Sequence, residues 1–555
     1  MTTKETVTRS PVSSGNAHQF ADFREHLSAL ESRDLLRRIN RNVKIETEVH
    51  PLVRLQFLGL KENMRKGFLF ENVSNVKGKK FDGSVAVGCL AASHEVYSIG
   101  MGCGPDEVEA KWRNALANPI EPRIVQTGPV RDEIHKGNQL LEHGGLGEFP
   151  FPISTPGFDN APYFTACGFL SKDPETGIPN VGNYRAQIKS PSRTGLFTGG
   201  DMVTHWEKCR KMGRDLEVAA VIGAVPVFSF AAVTKLPYGV SEYAVAGGLQ
   251  GAPLDLVKCE TVDLEVPATA EIVVEGVIKT DYLEPEGPFG ESSGYVDPRT
   301  LSFAFEATCI THRKNPIVVS ILSQFTPSES SKIKHRGMES VTLDHLRRKG
   351  FDSVIKVAHV EPLVNLRPYV VVQMKKKDDK EPWRVMEAVL NYRPEYGKIL
   401  VCVDEDINPE EPMAVIWAIC HRAQLQIDSR IMLGRQARGP MVYLREATDA
   451  KSLGDSDASL LIDATKKFDM PPVSLPTKEY MEHAIDLWKQ MGLPELELSS
   501  PWFGYSLGFW PDELAEEAKL AVNGDFYQTG EKLHGRKVEL KEGESPRDAR
   551  RGWTF

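Results

Sequence analysis

The sequence predicts a mixed α/β chain in three parts, and three changes of pattern carry that expectation. Residues 20–125 mix helical spacing with short alternating runs. Residues 126–312 turn strand-rich, with many Gly and Pro, as an antiparallel or barrel-like β domain would. Residues 313–475 alternate strands with helices, the mark of an α/β domain. A chain of 555 residues has room for several domains.

The elements follow in order. Residues 1–19 are polar, lack the apolar core of a signal peptide, and are expected to be a disordered tail. From Phe20 to Ile39, Phe23, Leu27 and Leu30 share one helical face, and VKIETEVHP then alternates like a strand. Phe81 to Leu90 is a second strand. Gly100-Met-Gly-Cys-Gly104 leads into the helical DEVEAKWRNAL. It reads as the start of a helix, or as a phosphate loop without the dinucleotide spacing. The middle part holds strands YFTACGFL, YRAQIK, VAAVIGAVPVFSFAAV, KCETVDLEVP, AEIVVEGVI and SFAFEATCI. One helix interrupts them, from about Met202 to Met212.

In the third part, strands IVVSIL, SVIKVAHV, YVVVQM and KILVCVDEDI alternate with helices such as SVTLDHLRRK and MAVIWAICHRA. Residues 476–555 add an amphipathic helix, KEYMEHAIDLWKQMG, then an aromatic-rich stretch and a charged, weakly structured end. Such a tail is expected to dock on a neighbouring subunit.

Composition narrows the function. Hydrophobic residues make up 41% of the chain, charged residues 26%, and the net charge is −9. That balance does not select for a polyanion, so nucleic acid is not an expected partner. The longest apolar run, Val218 to Val233, is broken by Gly223, Pro226 and Ser229 and falls short of a membrane span. A cytoplasmic location without membrane attachment is expected. Eight cysteines are scattered with no CxxC pair, which favours free thiols over disulfides or a zinc site. HExxH is absent, so a metal site must use scattered ligands.

The chemistry concentrates in Glu286-Gly287-Pro288-Phe289-Gly290-Glu291. Gly and Pro force a tight bend that can aim two carboxylates at one cleft. Two acids in one cleft disfavour each other's charge, the usual arrangement for a proton donor at neutral pH. A solvated surface turn is the competing reading. Arg185 offers a rigid fork of donors for a carboxylate, either a substrate's or a catalytic glutamate's. A structural ion pair is the plainer alternative. In a strand, Asn180 and Arg185 would point to opposite faces and serve different sites. Glu242, in LPYGVSEY, can ligate a hard cation or cap the helix that follows. Lys398, at the head of KILVCVDEDINP, could meet a phosphate.

Taken together, N-x-x-x-x-R, LPxGVSEY-x-x-AGxL, PATAEIVVEG, EGPFGE-x-x-GY and KI-x-V-x-VDEDI resemble the UbiD family, in order from Phe20 to Thr465. The resemblance implies a reversible decarboxylase using prenylated FMN. It implies an N-terminal α/β domain, a split β-barrel cofactor domain resembling flavin reductases, and a C-terminal α/β domain for oligomerisation, ending in a docking helix. It implies Arg185, Glu286 and Glu291 as the catalytic network, with Glu291 as proton donor and Glu286 orienting Arg185. Asn180 and Glu242 match two metal ligands, and Lys398 matches the phosphate lysine. Mn²⁺ or Mg²⁺, and K⁺, are the implied ions. The family's third ligand is a His at the start of the next helix. Here that register falls at Asp201 or Met202, with His205 about one turn further on. Asp201 is the oxygen ligand suited to Mn²⁺ or Mg²⁺.

Removing CO₂ from an aromatic or vinylic carbon leaves an electron pair that no ordinary side chain can accept, hence an organic cofactor. The expected partners are a small carboxylic acid substrate, a flavin prenyltransferase as cofactor supplier, and further copies of the chain in a homodimer or homohexamer. Two other readings compete: a non-catalytic flavin-binding subunit of a carboxylase complex, and an ordinary flavin redox enzyme.

Overall fold

The structure is a computed structural model describing residues 20–236, 240–291, 294–297, 299–360, 369–393, 396–436, 456–496, 498–540 and 545. The expected N-terminal tail lies outside the described residues, as do residues 541–544 and 546–555; the end expected to be weakly structured forms the helices Asp512–Val522 and Phe526–His534. Contacts divide the chain into two units: 1–405 with 424–463, and 406–423 with 464–555.

The first unit begins with the helix Phe23–Glu31, capped by Asp22, whose side chain accepts from the Glu25 N–H. Phe23, Leu27 and Leu30 are buried on its inner face, as their spacing predicts. VKIETEVHP does not form the long strand expected of it. Only Val43–Lys44 is extended, and Val49–Gly59 is helical. The glycines at 100–104 end one helix, with Gly102 left-handed at φ 67°, and start the next turn. The Glu107 carboxylate accepts from the Gly104 N–H at 2.7 Å.

A four-stranded sheet orders Leu36–Ile39, Gly67–Phe70, Ser84–Val87 and Ile317–Ser320. Ile317–Ser320 was expected in the C-terminal α/β part, yet it pairs in parallel with Ser84–Val87. The choice of a distant edge is a tertiary matter that a local pattern does not encode.

The central sheet has nine strands, and its ladders are antiparallel. Pro179–Asn183 lies at one edge, while Arg185–Ser190 lies next to the opposite edge. Tyr184 alone joins these two strands. The sheet must therefore curl until its margins meet, which is how a barrel-like form arises from antiparallel strands. The long strand Ile272–Glu286 runs through the middle between Leu216–Ile222 and Thr300–His312. Its register shifts near Gly276, where an added Cβ would sit 2.0 Å from the Glu306 carbonyl oxygen.

VAAVIGAVPVFSFAAV, expected to be one strand, is two elements. The strand ends at Ile222, Gly223 turns at φ 73°, and Pro226–Val233 is a buried helix starting on proline. A helix buried all round has no polar stripe, so periodicity cannot separate it from a buried strand.

The C-terminal sheet of this unit orders Val354–Val360, Tyr369–Met374, Ile399–Asp404, Ser456–Ala464 and Ser429–Gln436. The helices Glu329–Arg348 and Glu381–Tyr392 cover it and share its apolar core. The second unit contains the helices Pro412–Arg422, Lys478–Gln490, Asp512–Val522 and Phe526–His534. No described helix is long and apolar enough to cross a membrane. All eight cysteines are free thiols, as their scatter predicts.

Candidate active site

Arg185 opens the strand Arg185–Ser190, and Glu286 closes the strand Ile272–Glu286. Arg185 Nε donates to Glu286 Oε1 at 3.2 Å and Nη2 to Oε2 at 3.1 Å, a bidentate fork. Glu286 is wholly buried and Arg185 is 8% exposed. Gly195, on an intervening strand, makes this approach feasible. A Cβ there would come within 3.3 Å of the Glu286 Cβ and 2.8 Å of the Lys189 Cε.

The bend at Gly287, with φ 95°, carries the chain into a small hairpin in which Phe289–Gly290 pairs with Val296–Asp297. Glu291 follows at the hairpin turn, its N–H donating to the Tyr295 carbonyl at 2.8 Å. From there Glu291 reaches back to make an ion pair with Arg185 Nη1. Its side chain is 29% exposed. The one bend thus brings both acids of the hexapeptide to one guanidinium. Phe197 and Phe289 lie over that guanidinium, 4.3 and 5.0 Å from its carbon to the ring centres.

Sequence reasoning missed several residues here. Asp297 Oδ2 lies 3.9 Å from Arg185 Nη1. Burial raises its pKa above the ordinary carboxylate value; Arg185 opposes this and Glu286 adds to it. Asp159 accepts from the N–H groups of Thr155 at 2.8 Å and Gly290 at 3.2 Å, and burial pushes its pKa up to about 6. Asn160 Nδ2 donates to the Gly287 carbonyl at 3.1 Å. Tyr163 packs on Phe289 with ring centres 4.4 Å apart, and burial pushes its hydroxyl pKa up. Its hydroxyl donates to the Pro288 carbonyl at 3.4 Å. Asp297 lies six positions beyond Glu291 on the return arm of the hairpin, a pairing that local sequence pattern does not encode.

Asn180, Asp201 and Glu242 form a second cluster around Tyr184. Asn180 sits on the edge strand Pro179–Asn183. Asp201 begins the helix Asp201–Lys211, and Glu242 begins the helix Glu242–Gln250 behind its Ser241 cap. Tyr184 contacts Asn180 and feels the charges of both acids. The Glu242 carboxylate accepts from the Val181 N–H at 3.1 Å. Burial, with Asp201 as a like-charge neighbour, pushes its pKa up to about 7. The buried Asn180 Nδ2 makes no hydrogen bond. The two ends of an amide are interchangeable, so its oxygen can face the cluster instead. Two neighbouring acids and an amide beside one tyrosine, with an under-compensated acid among them, fit a hard divalent cation.

Met202 is wholly buried in the core, and His205 Nδ1 hydrogen-bonds to Ser171 Oγ at 2.9 Å, leaving Asp201 as the residue of that helix beside Glu242. Lys398 stands elsewhere. It is exposed at the head of Ile399–Asp404 and pairs with Asp457 at 2.6 Å in the C-terminal sheet.

A curled antiparallel sheet carrying an arginine–carboxylate centre is the frame in which the comparisons place a class of carboxy-lyases. Residues 123–324 match the 3-octaprenyl-4-hydroxybenzoate carboxy-lyase Rift-related domain, and residues 335–448 match the C-terminal domain of the same enzyme. The chain belongs to the UbiD family of carboxy-lyases. Its fold is similar to the evolved dimeric form of the UbiD-class enzyme HmfF from Pelotomaculum thermopropionicum in complex with prFMN. That match has a TM-score of 0.69 and 29% identity, covering 82% of this chain and 97% of the other. Vanillic acid decarboxylase of Sedimentibacter hydroxybenzoicus, in closed form, shares the fold at a TM-score of 0.72 and 24% identity, covering 85% and 99%. An uncharacterized protein of Synechocystis sp. is 29% identical over 528 residues, covering 88% of this chain and 99% of that protein.

Proposed function

We propose that this chain catalyses reversible, non-oxidative decarboxylation of an aromatic, heteroaromatic or α,β-unsaturated carboxylic acid with prenylated FMN. One observation carries the reading: a buried arginine is gripped by one wholly buried glutamate and touched by a second, partly exposed one. The cofactor, when bound, supplies the electron sink that side chains lack. Asn180, Asp201 and Glu242 are the residues that would hold Mn²⁺ or Mg²⁺ at its phosphate, with Lys398 as a further phosphate contact and K⁺ as a second ion.

The side chains divide the remaining work. Glu286 engages two nitrogens of Arg185 and fixes the guanidinium, leaving Nη1 toward Glu291. A substrate carboxylate arriving at Nη1 competes with Glu291 for the same donor. Glu291, once displaced, takes up a proton from solvent at its exposed edge and holds it beside the reacting carbon. It delivers that proton after CO₂ has left. Glu286 cannot take this part, because it is wholly buried with both oxygens engaged. Phe197 and Phe289 cover Arg185 and exclude water from the exchange.

A flavin prenyltransferase as cofactor supplier and a homodimer or homohexamer complete the proposal. A non-catalytic flavin-binding subunit is the competing reading, favoured by the acid at Asp201 where the family has a His. The test is CO₂ release from a panel of aromatic, heteroaromatic and cinnamic-type acids. The protein is co-expressed with a flavin prenyltransferase and supplied with Mn²⁺ and K⁺. Turnover that vanishes in Arg185→Ala supports the decarboxylase. A protein that binds the prenylated flavin yet turns over no acid on the panel favours the subunit reading.

A further inference from the structure

A second group of ligating side chains lies at another margin of the central sheet. His135 is on the strand Glu133–Lys136, which pairs with the far end of Thr300–His312. His143 follows the short helix Asn138–Glu142, and Glu148 ends the turn Gly145–Glu148. One ligand atom from each of His135, His143 and Glu148 lies within 4.8 Å of the others. The two imidazoles stack with ring centres 3.8 Å apart.

His312 approaches from the neighbouring strand and supplies an independent sign. Its Nδ1 is 2.8 Å from the Arg313 carbonyl oxygen, which can only accept, so that nitrogen carries the hydrogen. Its buried Nε2 makes no hydrogen bond and lies 3.7 Å from Glu148 Oε1. In a neutral ring that nitrogen presents a bare lone pair to a carboxylate. With the His312 nitrogen buried, two electron-rich atoms facing each other call for a cation between them. His135 Nδ1 flanks the other oxygen, 3.1 Å from Glu148 Oε2. Glu148 thus has an imidazole on each side.

We propose that His135, His143, Glu148 and His312 bind a structural Zn²⁺ ion, separate from the cation cluster at Asn180. Three imidazoles and one carboxylate suit zinc, whereas Mg²⁺ and Mn²⁺ favour oxygen donors. Four protein ligands leave no open position, which is the pattern of a structural site. Bonds of about 2.0–2.2 Å space tetrahedral ligand atoms roughly 3.4 Å apart; here the atoms of His135, His143 and Glu148 lie within 4.8 Å, and His312 Nε2 is 3.7 Å from Glu148 Oε1. The ion would join three segments: the strand bearing His135, the turn bearing Glu148 and the end of the strand bearing His312. That turn also rests on the hairpin that follows the Arg185 strand, the Leu146 N–H donating to the Pro191 carbonyl at 2.7 Å.

The test uses the full chain, stripped with a chelator and titrated with ZnCl₂ and, separately, CoCl₂. His143 is exposed, so His143→Ala keeps the fold, and Glu148→Gln keeps the shape of its side chain. We expect one Zn²⁺ to bind with sub-micromolar affinity in the intact chain and in an Asp201→Asn/Glu242→Gln double variant. We expect at least tenfold weaker binding in His143→Ala and in Glu148→Gln. Co²⁺ should give the intense visible bands of a tetrahedral site, lost in His143→Ala, and Zn²⁺ should raise the melting temperature of the intact chain and of the double variant but not of His143→Ala or Glu148→Gln. Zinc affinity unchanged by both variants, no zinc bound tighter than micromolar, or an octahedral Co²⁺ spectrum would each overturn the site. A protonated His312 paired with Glu148 would then account for the contact.

Discussion

Two acidic clusters lie on either side of Tyr184, and they treat charge in opposite ways. Around Arg185, Glu286, Glu291 and Asp297 share one guanidinium supplied by the chain itself. Around Asn180, Asp201 and Glu242 face each other, and among the described residues no Lys or Arg pairs with either. The first cluster is preorganised and ready to exchange one acid for another at Nη1. The second is disfavoured by burial and by its own like charges, and a cation from outside is proposed to relieve it. The two clusters are kept apart, although one residue separates their strands.

Removing the internal cation should be the most damaging way to break this contrast. Arg185→Ala leaves Glu286 buried and uncompensated, a loss of about 3–5 kcal/mol. Denaturant titration should show that loss, with turnover abolished. Arg185→Lys restores the charge without the fork, so it should recover part of the stability and little of the turnover.

The second cluster can be sharpened by taking away acids rather than a cation. Glu242→Gln should weaken Mn²⁺ binding at least tenfold by calorimetry, since a charged oxygen donor is lost. The metal-free variant should melt no lower than the parent, because burial and Asp201 penalise the native carboxylate.

The same contrast has a pH signature. Glu242 titrates near 7 in the folded chain, against an ordinary value of 4.5. Between those values the folded state keeps a proton that the unfolded state has released. The metal-free protein therefore loses stability as pH rises through that window, and recovers it below. Mn²⁺ competes with that proton, so its affinity should rise with pH and level off above about 7. Thermal melts with and without Mn²⁺ at pH 5, 6, 7 and 8 would show the two trends with opposite sign.

The smallest effect is expected at Lys398. Its pair with Asp457 is half exposed and contributes at most about 1 kcal/mol. Lys398→Ala should leave stability nearly unchanged. A fall in FMN affinity in that variant would support its place at the phosphate, and an unchanged affinity would remove it.

Much of the site was legible because its residues are tied to local geometry. Gly287 and Pro288 announce a bend, and a bend between Glu286 and Glu291 brings both to one cleft. Asn180 and Arg185 were expected to serve different sites, and their clusters are distinct. The reason differs from simple strand alternation, since the chain leaves one edge strand and enters another at Tyr184. Asp297, Asp159 and Gly195 were not legible. Their importance depends on strand pairing, on the hairpin's return arm, and on room for a neighbour's side chain. Ile317–Ser320 and Pro226–Val233 escaped for similar reasons. One chose a distant sheet edge, and the other is buried on every side.

The account turns on Glu291 as the acid that leaves Arg185 and carries the proton. The most direct measurement is turnover by Glu291→Gln, with bound prenylated flavin quantified by absorbance in the same sample. Glutamine keeps the shape of the side chain and can still meet its neighbours, but it cannot donate an acidic proton. The account predicts unchanged cofactor occupancy and a kcat lower by about 10²–10⁴-fold. Full turnover with the cofactor bound would contradict it and assign the proton to another group beside Arg185, Asp297 first.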